Sequence, residues 1–145
     1  MKRLSLSFAL AFVLIGLLTV PAIAADDSAG YTIYYEDGSY AIVTLNIAST
    51  RSAVEDTKAY TYHNAQGQRC FTYVLRASFT YNGVTSRADS CRYAAEIYRQ
   101  GWDMSTHSEY VSGNTAYGRA TFTGPNGESR TVSLTLTCDK NGNIS

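Results

Sequence analysis

Charge is sparse in this 145-residue chain: 17% of residues are Asp, Glu, Lys or Arg, and 12 basic side chains face 12 acidic ones. Without a basic excess there is no electrostatic case for nucleic acid or for an anionic membrane surface as partner. The two histidines, His63 and His107, and three cysteines include no C-x-x-C and no H-E-x-x-H, so zinc is poorly supplied and no cofactor is expected. The strand–turn–helix signature G-x-S-x-G of serine hydrolases is missing. Asp139-Lys140-Asn141-Gly142-Asn143 begins like a calcium loop but has Ile144 where glycine is required, and reads as a polar turn. Past residue 24 no run is long and apolar enough to span a bilayer.

The first 24 residues have the three parts of an export signal. Lys2 and Arg3 form a positive start, Phe8 to Leu18 is apolar apart from Gly16, and Pro21 precedes the cleavage pattern Ala22-Ile23-Ala24. Cleavage there makes Ala25 the new N-terminus and leaves 121 residues, enough for one domain with a modest core. Loss of Lys2 and Arg3 leaves 10 basic against 12 acidic groups, a net charge of −2 with His neutral. The expected location is extracellular.

What remains is rich in Tyr, Thr and Ser, residues that suit a pleated, half-buried surface. Turn signals recur at even spacing: Asp37-Gly38, Asn64 to Gly67, Asn82-Gly83, Ser112-Gly113-Asn114, and Gly124-Pro125-Asn126-Gly127. Between them lie strands at Tyr31–Tyr35, Tyr40–Ile47, Ala59–His63, Arg69–Tyr81, Thr115–Thr123 and Ser129–Cys138. In the longest, Phe71, Tyr73, Leu75, Ala77, Phe79 and Tyr81 share an apolar face, with Cys70 on the polar side. Val132, Leu134, Leu136 and Cys138 share a face in the last. Residues 91–98 fit either a helix or a strand, and the β context favours strand. Residues 48–57 have no clear period and read as a connection.

The fold class expected is all-β: a single antiparallel β-sandwich, Ig-like or related, preceded by a cleavable signal peptide. Its parts are the signal at 1–24, an N-terminal hairpin and connection at 25–56, and the sandwich core at 57–145.

An exported chain sits where disulfides persist. Periodicity puts Cys138 on an apolar face and Cys91 in the core, which makes Cys91–Cys138 the expected bridge and Cys70 the spare. It would close a loop of 47 residues, worth about 3–4 kcal/mol. The alternatives are three reduced thiols, or a Cys70 that joins two chains.

Catalytic parts are weak. His63 and Cys70 flank one hairpin and could approach, as chance would also give. Asp89, Glu96, Asp103 and Glu109 are the available carboxylates, but no spacing singles out a glycosidase pair. Binding has better candidates. Trp102, in a predicted connection, and Tyr34, in a Tyr-rich patch with Tyr31, Tyr35 and Tyr40, are aromatic rings able to stack on sugars or anchor a protein. The bland alternatives are core packing for Trp102 and cross-strand aromatic pairing for the tyrosines.

From Thr57 onward the chain resembles a group of small secreted proteins of Gram-positive bacteria of the Firmicutes type. The stretches that carry the likeness are Lys58 to Tyr62 with Asn64 to Gly67, Phe79 to Gly83, Cys91, Trp102, Ser112 to Ala116, and Val132 to Ser145. The resemblance implies a β-sandwich-like domain and favours the Cys91–Cys138 pairing, and it lends no catalytic residue. The expected function is a secreted, non-catalytic, monomeric binding domain whose target is carbohydrate, cell envelope or another protein. The alternatives are a small hydrolase of envelope or polysaccharide, and a secreted inhibitor or effector.

Overall fold

The computed structural model describes residues 29–47 and 55–145. The expected export signal and most of the expected 48–57 connection lie outside them. Eight strands follow one another: β1 (Ala29–Tyr34), β2 (Tyr40–Asn46), β3 (Asp56–His63), β4 (Arg69–Tyr81), β5 (Ser86–Ile97), β6 (Asp103–Ser112), β7 (Thr115–Thr123) and β8 (Ser129–Thr137). They make two antiparallel sheets, β1-β2-β3-β4-β5 and β6-β7-β8. The all-β, two-sheet expectation holds.

The Ig-like version of it does not. Ig domains cross over in Greek keys, whereas within each sheet here the strands lie side by side in sequence order. Short turns at 36–39, 64–68 and 82–85 hold successive strands side by side, so no crossover forms. Asp56 and Thr57, expected in a connection, open β3 and pair with β4.

Alternation builds the core. Phe71, Tyr73, Leu75 and Ala77 of β4 are wholly buried, as are Ala116 and Phe122 of β7 and Leu136 of β8. Phe71 and Phe122 stack across the two sheets with ring centroids 3.9 Å apart. β7 offers small residues where β4 offers large ones. A Cβ on Gly118 would lie 2.8 Å from the Tyr73 hydroxyl and 2.9 Å from Leu75 Cδ1, so only glycine admits this approach. Residues 91–97 are strand, with Cys91 and Tyr93 packed against the core.

Cys70 corrects its assignment to the polar face. Tyr62 pairs with Phe71 and His63 with Arg69, so Cys70 is the extra residue of a β-bulge. The bulge turns its side chain inward beside Phe71, and both are fully buried.

Candidate functional site

Four connections meet at one end of the sandwich: 36–39, 64–68, 98–102 and 124–128. They enclose a cleft of about 330 Å³. Arg130, at the start of β8, braces its wall. The Arg130 guanidinium lies 4.6 Å over the Tyr35 ring and 5.2 Å over the Tyr62 ring. It donates from Nε to the Tyr62 hydroxyl at 3.2 Å, and from Nη2 to the Asp37 carboxylate and the Ser39 hydroxyl. Hydrogen bonds from the Ser39 hydroxyl and amide, with Arg130 adding its charge, hold the Asp37 carboxyl below its ordinary pKa. The cation is thus caged by two rings and closed by a carboxylate.

The 64–68 turn is fixed from within. Asn64 Oδ1 accepts the amides of Gln66 and Gln68 at 3.1 and 2.9 Å. Gln68 Oε1 accepts from Asn64 Nδ2 and from Arg99.

Trp102 was expected in a connection and is there, but it is not an exposed platform. It is 6% exposed, with ring centroids 5.3 Å from Tyr62 and 5.1 Å from Phe71. Gly124 admits it, since a Cβ there would lie 2.7 Å from the indole. The core reading of Trp102 holds, and only its edge reaches the cleft. The physical reason is that rings from β3 and β4 converge on it from strands remote in sequence.

Tyr34 is placed differently: it is 79% exposed on the outer face of the larger sheet. The register sets Tyr34, Tyr40, His63 and Arg69 opposite one another on β1 to β4, in one row. Tyr40 stacks on His63 at 4.7 Å with planes 6° apart, and Tyr34 tilts against Tyr40 at 6.2 Å. Arg69 continues the row over the Tyr98 ring, 4.9 Å from its centroid. Burial first, and then the Arg69 charge, push the His63 pKa down, so the ring in the stack is neutral.

The weaker sequence candidates separate. His63 belongs to the outer face while the bulge turns Cys70 inward, so the two form no catalytic pair. Asp103 caps the Met104 amide, and Glu109 accepts from His107, whose other nitrogen meets the Tyr93 hydroxyl at 3.2 Å. Six residues apart on β6, their backbone positions are separated by roughly 20 Å along the strand, beyond glycosidase spacing. Asp139 bonds the amides of Asn141 and Asn143 and the Asn143 side chain, the polar turn that was expected.

The expected Cys91–Cys138 bridge is not formed: all three cysteines are free. Cys91 sits on β5 opposite Ala77, while Cys138 follows β8 in the other sheet and donates its thiol to the Asp139 carbonyl at 3.3 Å. Burial raises all three thiol pKa values.

Neither Arg130 nor the part His63, Arg69 and Tyr98 play in the ring row is marked in the sequence. Nothing local marks Arg130, which meets Asp37 across 93 positions. The row was legible in part, since Tyr34 and Tyr40 flank a turn that places them opposite each other. No protein-family model matches the chain, and no curated protein or solved structure is significantly similar to it.

Proposed function

We propose that this chain is an extracellular, non-catalytic domain that binds glycans of a polysaccharide or cell envelope. The observation that carries the reading is the ring row: an exposed tyrosine backed by Tyr40 and His63, with arginine and Tyr98 at the far end. Tyr40 and His63 face each other, which leaves the outer face of the exposed Tyr34 to take up the apolar face of a sugar while the polar edges of the row stay wet. The backing stack holds Tyr34 at low entropic cost, as suits a binding surface. Scarce charge favours a neutral polymer over a polyanion. Co-sedimentation of the mature protein with cellulose, chitin and isolated peptidoglycan tests this, with Tyr34→Ala as the variant that weakens retention.

A further inference from the structure

We infer that the loop-end cleft and the ring row receive one continuous glycan chain, with one sugar unit seated in the cleft and the following units lying along the row. This rests on the glycan-binding reading above and adds a second subsite to it.

The two features share a wall. The 64–68 turn contributes Gln66 to the cleft, and the residues that flank it, His63 and Arg69, belong to the row. The next segment does the same: Arg99 lines the cleft, and Tyr98 beside it lies under Arg69. Gln68 ties the two segments together by accepting from Arg99. A chain leaving the cleft over this wall meets the row directly.

Cleft chemistry suits hydroxyl groups. Gln66, Asn126 and Glu128 line it, and their side chains make no hydrogen bond among the described residues. They supply both donors and acceptors. Asn64 and Asp37, by contrast, are engaged internally and hold the wall in shape. A volume of 330 Å³ is at the small end of ligand pockets, right for one sugar unit and too small for a chain. The row crosses four strands, three spacings of about 4.8 Å, so it runs roughly 14 Å and accommodates a short oligosaccharide. Two subsites on one rigid end raise affinity through effective concentration.

The test is calorimetric titration with β-1,4-linked oligomers of glucose and of N-acetylglucosamine, one to six units long. Affinity is expected to rise at least tenfold from one unit to six. Gln66→Ala with Glu128→Ala, both exposed in the turns, should weaken the six-unit oligomer about tenfold, since two hydrogen bonds are lost. Tyr34→Ala should abolish most of the gain from length. Val84→Ser, at the opposite end of the sandwich, is the control for handling and folding. A polymer that still binds with the cleft variant at full affinity overturns the shared-chain inference and leaves the glycan reading standing. Absence of binding to every oligomer and to the insoluble polysaccharides overturns both.

Discussion

The Arg130 guanidinium lies 4.6 Å above the ring of Tyr35, and this contact joins the two sheets at the end where the cleft opens. Arg130 lies at the start of β8 in the smaller sheet, while Tyr62 belongs to β3 of the larger and Tyr35 directly follows its β1. One side chain therefore couples the packing of the sandwich to the shape of the candidate site.

Replacing Arg130 with alanine should cost about 1–2 kcal/mol in urea denaturation, from the lost ring contacts and the buried stem. Lysine should restore less than half, because it keeps the charge but not the planar fork. A loss below about 0.5 kcal/mol for the alanine variant would show that the cage is not a clasp.

Tyr73 carries the opposite kind of prediction. Its hydroxyl is buried without a partner, and burial pushes its pKa up to about 12. Tyr73→Phe removes an unsatisfied group from a full core, so stability should stay level or rise by up to about 1 kcal/mol. The wild type also prefers neutral Tyr73 in the fold. Its contribution is present below pH 10 and is lost as pH rises toward 12, a decline that the variant should reduce. Clear destabilisation by the phenylalanine would mean that the hydroxyl is bonded.

His63 is held neutral by burial and by Arg69. A histidine with a depressed folded pKa stabilises the fold above its unfolded value of about 6.5, and that contribution is lost as pH falls through the folded value. Between pH 7 and 5, wild type should lose more stability than His63→Gln, with His107 common to both. Parallel pH profiles would remove His63 from the account.

These residues also show what the sequence made legible. The alternation of β8 and of Phe71 to Ala77 in β4 matches their buried faces, because one side of each strand lies against the core, whereas Phe79 and Tyr81, past a second register shift, are only partly buried. β6 is silent in the sequence for the converse reason: nearly all its residues are exposed, so no apolar period marks it. Cys70 was misplaced because one bulge residue breaks the period of two, and a bulge is a property of the pair of strands. The Tyr34–Tyr40 half of the ring row could be read from its turn. His63, Arg69 and Tyr98 join it only through register, and Arg130 reaches Asp37 only through the packing of two sheets.

Free thiols give a direct check on the cysteines. Denatured protein that has never met a reductant should react with three equivalents of alkylating agent. In the native state half-buried Cys91 should react ahead of Cys70 and Cys138, which are fully buried. A single reactive thiol after denaturation would mean that a bridge forms after all.

Glycan binding by the ring row is decided by co-sedimentation with cellulose, chitin and isolated peptidoglycan. At least one polysaccharide should retain the protein, and Tyr34→Ala, shown to be folded by circular dichroism, should be retained about tenfold less, a loss of about 1.4 kcal/mol. Retention by none of the three, or equal retention of the wild type and the variant, would contradict it.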